Sequence, residues 1–364
     1  MNKKLLRKTK KSFKDHFKTE PLLVFSPGRI NLIGEHTDYN DGFVFPAAIN
    51  KGIALAIQKS DTDSSSVYAL DKEELHEFNL LDIQSIKDGG WRNYVLGVFA
   101  EIQKLNIQLD NINIVFAGDI PEGAGMSSSA ALENSVVFGL NELFNLKLSK
   151  NQMIFISQKA EHNYVGVKCG IMDQYASMFG KKGSALLLDC RTLESKTYKI
   201  DFEDYKLLLI NTNVKHELSE SAYNERRSVC EKVSNMLGVI TLRSASKSGL
   251  KSLENKISNE DYQKALYVIE ENERVKLFSK AIENDDIKSL GKLLYQSHYG
   301  LSNQYKVSCK ELDFLIKKAN ENTSILGARM MGAGFGGCTI NIVYKSDIKK
   351  LKKDITKAYN TEFE

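Results

Sequence analysis

The chain predicts a protein of mixed class, α/β or α+β, built as two closely joined domains. Its 364 residues exceed one core at about 150 residues per domain. The first half alternates strand-like and helix-like runs, whereas from about residue 219 the pattern turns long and helical, then ends on two strands around a glycine loop. The only prolines are Pro21, Pro27, Pro46 and Pro121, and no Pro/Gly/Ser linker separates the halves. The change of texture near residues 200–215 sets the expected domains at 1–205 and 206–364.

Residues 1–17 are basic and lack the apolar core of a secretory signal. Leu5, Leu6, Phe13 and Phe17 among the lysines predict a short helix on the body of the protein, with an arm for a membrane surface or nucleic acid as the lesser reading. Strands are expected at 22–25, 52–57, 66–70 and 111–116, from β-branched and alternating apolar content. Val95, Val98, Phe99 and Ile102 give 93–105 a helical period, and 127–144 and 149–164 also read as helices. Residues 184–188 and 206–210 return to strand. Helices follow at 219–237, 261–284, 287–299 and 309–320, then strands at 325–330 and 338–343, and a last helix from Ser346.

Composition narrows the function. Lys+Arg is 50 against Asp+Glu 46, a net charge of +4, too small and too mixed for a polyelectrolyte binder. Five scattered cysteines without a CxxC pair fit neither a disulfide framework nor a zinc site, and point to a reducing, cytoplasmic location. No apolar run approaches the ~18 residues of a membrane span.

Four blocks carry chemistry. In GDIPEGAGMSSSAALE (118–133) an expected strand ends, Gly123 and Gly125 loosen the backbone, and a helix opens at Ser127, Ser128 and Ser129. Unpaired N–H groups at a helix start attract anions, and the hydroxyls add phosphate or Mg²⁺ contacts. The Gly-Lys-Ser/Thr ending of a Walker A loop is missing, and a plain strand–helix turn capped by serines is the structural alternative. SPGRINLIGEHTDYNDG (26–42) gathers Arg29, Glu35, His36, Asp38 and Tyr39, either donors and acceptors for sugar hydroxyls or a solvated turn. EHNYVGVKCGIMDQ (161–174) sets Glu161 near a helix end and Asp173 after a bend at Gly166 and Gly170; Met172 and Tyr175 suit partial desolvation of that carboxylate, and a capping or loop aspartate is the alternative. GAGFGGC (332–338) lies between two strands and reads as a tight turn, or as a place where another loop or a phosphate comes close.

Together these blocks resemble the galactokinases of the GHMP kinase superfamily, from Pro27 to Cys338 and in the family's order. The resemblance implies an α+β, two-domain GHMP kinase fold with the active site in the interdomain cleft. It implies ATP-dependent phosphorylation of the anomeric hydroxyl of D-galactose, with ATP as co-substrate and Mg²⁺. By the same resemblance Asp173 takes or orients the hydroxyl proton and Arg29 orients the catalytic site and stabilises charge. Glu35, His36, Thr37, Asp38, Gly170 and Tyr223 (in SAYNERR, 221–227) meet the sugar. Gly123, Ala124, Gly125, Met126, Ser127, Ser128 and Ser129 wrap the phosphates, Ser129 and Glu161 hold Mg²⁺, and Trp91 (in WRNYVLGV, 91–98) lies near adenine. Galactose and ATP are the expected partners, with no nucleic acid, no membrane, and a monomer sufficing. Glu122 and Met126 depart from the family pattern; Glu122 is expected to point away from the phosphates. The alternatives are a kinase for N-acetylgalactosamine or arabinose, or a galactose/ATP sensor without turnover, the last disfavoured by the intact serine–alanine run and by Asp173.

Overall fold

The computed structural model describes residues 2–214 and 219–363. In chain order the elements are α1 (Lys3–Phe17), β1 (Leu22–Asn31), β2 (Phe43–Val44), β3 (Pro46–Lys59), β4 (Ser65–Ala69), β5 (Glu74–Phe78), α2 (Trp91–Gln103), β6 (Ile112–Gly118), α3 (Ser128–Phe144), α4 (Lys150–Ala160) and α5 (Met172–Phe179). There follow β7 (Ser184–Asp189), β8 (Glu194–Lys199), β9 (Tyr205–Asn211), α6 (Ser219–Leu237), α7 (Lys247–Lys251), α8 (Asn259–Glu283), α9 (Ile287–Tyr299), α10 (Lys310–Asn320), β10 (Ile325–Met331), β11 (Cys338–Tyr344) and α11 (Ile348–Phe363).

Packing divides the described chain into two units. One holds residues up to Arg29, Ala48–Pro121 and Met126–Lys182; the other holds Ile30–Ala47, Glu122–Gly125 and the described residues from Gly183 onward. The last crossing therefore comes earlier than the 205/206 boundary expected from texture.

The first unit is organised on a five-stranded sheet of order β1-β3-β6-β4-β5, in which β4 runs parallel to β6 and β3 antiparallel to it. Strand β3 explains how both faces are covered. Ile53, Leu55 and Ile57 alternate to one side, into a core with α2, α3 and α4. Ala54 and Ala56 alternate to the other, where small side chains leave room for Leu5 and Phe13 of α1. The N-terminal helix is thus packed on the sheet, its start capped by the Asn2 side chain.

In the second unit β10-β11-β9 and β2-β7-β8 form two antiparallel sheets. One core joins α6 and α8 through Cys230, Val233, Tyr267 and Val268 to Leu301, Tyr305 and Met330; another joins α10 and α11 to β10 and β11. Two helices end in π-turns, α4 at Glu161–Val165 and α9 at Gly300–Gln304. Among the described residues no helix is long and apolar enough to cross a membrane.

Five elements were not foreseen, among them the very short β2 and α7, of 2 and 5 residues. Strand β8 turns only Tyr198 inward, so it has no apolar alternation to read. Strand β5 buries none of its residues fully. Helix α5 spans 8 residues, too few for a helical period, and its N-cap Ile171 makes no side-chain cap.

Candidate active site

The first unit brings three distant sequence blocks to one carboxylate. Strand β1 delivers Arg29, whose side chain is 5% exposed. Its Nε and Nη2 donate to Oδ1 and Oδ2 of Asp173, each at 2.8 Å, in a fork that fixes the carboxylate plane. Ser127 Oγ donates to Asp173 Oδ2 as well. Ser127 has φ +55°, and its hydroxyl is turned to Asp173 while it makes no side-chain cap on α3. Asp173 itself lies in the first turn of α5, with its side chain 26% exposed. Gly28 makes the convergence possible: a Cβ there would stand 2.6 Å from the Met126 carbonyl oxygen, which accepts from the Arg29 N–H at 3.1 Å.

Behind Asp173 lie two further carboxyl groups. Glu161, at the start of the π-turn after α4, accepts from Gln174 Nε2 at 3.0 Å and from Cys169 Sγ at 3.5 Å. Burial, helped by the charge of Asp173, pushes its carboxyl up to about 7, against the pull of hydrogen bonds from Cys169, Ser129 and Gln174. Glu133, fully buried on α3, is pushed well above the usual carboxylate range by burial and then by Glu161. Glu133 Oε1 and Gln174 Oε1 find no hydrogen-bond partner. Carboxyl and amide oxygens gathered in this way, the carboxyls resisting ionisation until a positive charge is brought near, suit a hard divalent cation. Among the described residues no group of three or more His, Cys, Asp or Glu is arranged to hold a metal by itself.

In the second unit the 35–38 turn is bound to the 332–338 glycine block. Glu35 Oε1 accepts from the Gly332 N–H at 2.8 Å and from Arg329 Nη2 at 3.1 Å. Arg329 is wholly buried, and its other donors serve the carbonyls of Leu32, Asn31 and Met330. His36 (φ +60°) is 3% exposed, with Nε2 3.0 Å from the Ala333 carbonyl and Nδ1 2.8 Å from Tyr39 Oη. Burial lowers its imidazole to about 3; the Ala333 carbonyl opposes this, while the charges of Arg226 and Arg329 add to it. The Thr37 hydroxyl faces the carbonyls of Gly34 and Phe43, at 2.9 and 2.7 Å. Asp38 opens a short 3-10 turn and is buried. The Tyr223 ring on α6 lies 5.3 Å from that of His36, centroid to centroid.

The glycine blocks pack by backbone. Gly125 (φ +68°) lies so near Met331 that a Cβ would come within 3.0 Å of its carbonyl oxygen, and a Cβ on Gly337 (φ +82°) would come within 3.2 Å of the Gly123 oxygen. The 332–338 block is thus a turn that admits another loop, one of its two expected readings. Ala124 and Met126 are buried, Ser128 is exposed, and Ser129 is half-buried. Glu122 is exposed. Gly170 is buried in the loop before α5. Trp91 is 9% exposed, its indole N–H donating to Glu74 at 2.7 Å and its ring meeting Phe116 edge-on.

Sequence reasoning missed Arg329, Gln174, Glu133 and Tyr305, and it noted Tyr39 in the 26–42 block without tying it to His36. Arg329 had a signal: an arginine inside the apolar run ILGARMM must find buried acceptors. The others had none, because their partners are far away in the chain.

Comparison with known proteins agrees with this geometry. Residues 11–59 match a galactokinase galactose-binding signature, 93–181 the GHMP kinases N terminal domain and 278–361 the GHMP kinases C terminal domain. The chain is 40% identical over 341 residues to the galactokinase of Thermotoga petrophila, covering 93% of this chain and 94% of that one. It is 42% identical to the galactokinase of Clostridium tetani, over 92% of this chain and 87% of the other. The crystal structure of Lactococcus lactis galactokinase complexed with galactose superimposes with a TM-score of 0.92 at 34% identity, over 97% of this chain and 93% of that chain. Methanococcus jannaschii mevalonate kinase shares the fold, with a TM-score of 0.63 at 20% identity, over 93% of this chain and 96% of that chain.

Proposed function

The chain belongs to the galactokinase family of the GHMP kinases, and from that premise we infer that it transfers the γ-phosphoryl group of ATP to the anomeric hydroxyl of D-galactose, giving ADP and α-D-galactose 1-phosphate. The observation that carries this reading is the convergence of Arg29, Ser127 and Asp173, from three separate blocks, on one carboxylate.

Phosphoryl transfer runs through a loose transition state, so positioning and electrostatics supply most of the catalysis. The C1 hydroxyl of a sugar is too weak an acid to ionise before attack at pH 7. Asp173 aligns it and accepts its proton as the bond to phosphorus forms. The Arg29 fork and the Ser127 hydroxyl hold that carboxylate in one orientation, and the Arg29 charge offsets the charge gathering on the phosphoryl oxygens. Residues 123–129 offer backbone N–H groups and hydroxyls to the nucleotide phosphates at the start of α3. Ser129 and Glu161 would hold Mg²⁺, which supplies counter-charge for the phosphates when bound.

For the sugar we assign Glu35, Asp38 and Tyr223 to hydroxyl contacts, and Gly170 by resemblance. His36 and Thr37 have their polar atoms committed within the protein, so they shape this region. Trp91 is assigned to the base by resemblance, through stacking, since its N–H is taken by Glu74. Five free thiols fit a cytoplasmic setting.

The test is ADP release with galactose, glucose, arabinose and N-acetylgalactosamine side by side. Galactose is expected to exceed glucose in kcat/KM by ~10² or more, because acceptors placed for an axial 4-hydroxyl are left unpaired by its epimer. Equal values for the two hexoses, or a preference for another sugar in the panel, would overturn the substrate assignment.

A further inference from the structure

A buried chain of hydrogen bonds runs behind His36 and ends at Cys230. From one end to the other it comprises the Ala333 carbonyl, His36 Nε2 at 3.0 Å, His36 Nδ1, Tyr39 Oη at 2.8 Å, Tyr305 Oη 2.7 Å further on, and Cys230 Sγ at 3.3 Å. Its polarity can be deduced. A carbonyl only accepts, so His36 Nε2 carries the proton. The imidazole is neutral, held so by burial with Arg226 and Arg329 nearby, which leaves Nδ1 as an acceptor and makes the Tyr39 hydroxyl the donor. Tyr39 has one proton and has spent it, so it accepts from Tyr305. Tyr305 in turn accepts from the Cys230 thiol, which burial pushes up to about 11 and keeps protonated. Every donor in the chain points toward His36.

We propose that Tyr39, backed by Tyr305 and Cys230, is a positioning residue of the sugar site: its hydroxyl holds His36 as the Nε2–H tautomer, and through His36 it fixes the 332–337 turn against Glu35. The linkage rests on contacts already described. His36 grips Ala333, the neighbouring Gly332 N–H grips the Glu35 carboxylate, and the His36 ring lies against Tyr223. The other neutral tautomer would set an Nε2 lone pair against the Ala333 oxygen, a repulsion that drives the turn away and loosens Glu35. Tyr305, one step further back in the chain of hydrogen bonds, supports Tyr39 and meets the imidazole only ring against ring, 4.9 Å between centroids, a contact that does not involve its hydroxyl. The two tyrosines are therefore not equivalent. The effect on sugar affinity rests on the galactose-kinase reading above; the polarity of the chain does not.

Imidazole ¹⁵N NMR of the substrate-free protein, with His36→Gln for assignment, reads the tautomer directly. Nδ1 is expected at the unprotonated, pyridine-like position and Nε2 at the protonated one; a protonated Nδ1 overturns the proposal. Tyr39→Phe leaves a buried lone pair without its donor and is expected to raise the galactose KM about tenfold with kcat within about threefold. Tyr305→Phe, which leaves the Tyr39 donation in place, is expected to change the galactose KM by less than about threefold. An unchanged KM in Tyr39→Phe, or a larger loss in Tyr305→Phe, overturns the proposal. If Tyr39→Phe does not fold, the wild-type spectrum still decides it. Absence of galactose-dependent turnover in the wild type counts against the kinase reading alone, since the spectrum reads the chain without substrate.

Discussion

Asp173 is reached by two donors of one guanidinium and by a serine hydroxyl, yet a quarter of its side chain stays open. A carboxylate so fixed can meet a hydroxyl in one geometry only. Asp173→Asn keeps the size and removes the proton acceptor, so kcat is expected to fall by at least ~10² while the galactose Kd stays within about tenfold. Turnover near that of the wild type would end the assignment of Asp173 as base. His36 bears on stability instead. In the unfolded chain it titrates near 6.5, whereas burial holds it to about 3 in the fold. Between those values the unfolded state binds a proton that the native state does not, so stability is lost as pH falls below 6.5, by about 1.4 kcal/mol per pH unit. Urea unfolding at pH 6.5 and pH 5 is expected to cost the wild type about 2 kcal/mol more than His36→Gln, since all other titrations are common to both. Equal losses would refute a neutral buried His36. Both residues were legible in the sequence as candidates, because acids and imidazoles beside glycines attract notice. Their partners were less so: Ser127 stood out as a phosphate contact and not as a donor to Asp173, and Tyr305 acquires meaning only once the chain has folded it against Tyr39 and His36.

At the scale of elements, the site depends on how closely the strand end and the glycine loop approach one another. Gly28 ends no turn and has ordinary backbone angles; its role is the absence of a Cβ where the Met126 carbonyl passes. Gly28→Ala inserts a methyl 2.6 Å from that oxygen, which is backbone and cannot swing aside. The 126–129 segment must shift, and misplacement by about 1 Å in a site of this kind costs ~10² in kcat/KM for ATP. Steady-state kinetics with ATP varied, alongside an unchanged circular dichroism spectrum, check this; a loss of less than threefold would mean that the loop accommodates the methyl. The long helices α3, α6, α8 and α9 were legible because apolar residues recur along them for several turns. Helix α5, which carries Asp173, was not. Met172, Gln174, Tyr175, Ala176 and Ser177 are all buried, so its two turns show no apolar stripe, and its start lacks the Ser, Thr, Asp or Asn cap that marks a beginning in sequence. The block around Asp173 was therefore recognisable as a motif before it was recognisable as a helix.

At the scale of the whole chain, the order of the blocks was legible and the partition was not. Texture changes only once, near residue 205, whereas packing assigns Ile30–Ala47 and Glu122–Gly125 to the second unit, long before that point. No compositional shift marks those crossings, because β1 and β3 each continue through them as one strand: β1 passes Arg29/Ile30 and β3 passes Ala47/Ala48 without interruption. A strand with residues in both units cannot lose its order on one side without loosening the hydrogen bonds and side-chain packing of its own remaining residues. Helix-to-helix linkers permit independent melting; shared strands oppose it. Differential scanning calorimetry of the full chain is therefore expected to give a single transition whose calorimetric and van't Hoff enthalpies agree. Two resolved transitions, or a van't Hoff enthalpy near half the calorimetric one, would mean that the strands break at the crossings and that the units fold separately. Adding galactose sharpens the test: in a single cooperative system it raises the one midpoint by mass action, and in a divided one it raises only the transition of the part that binds it.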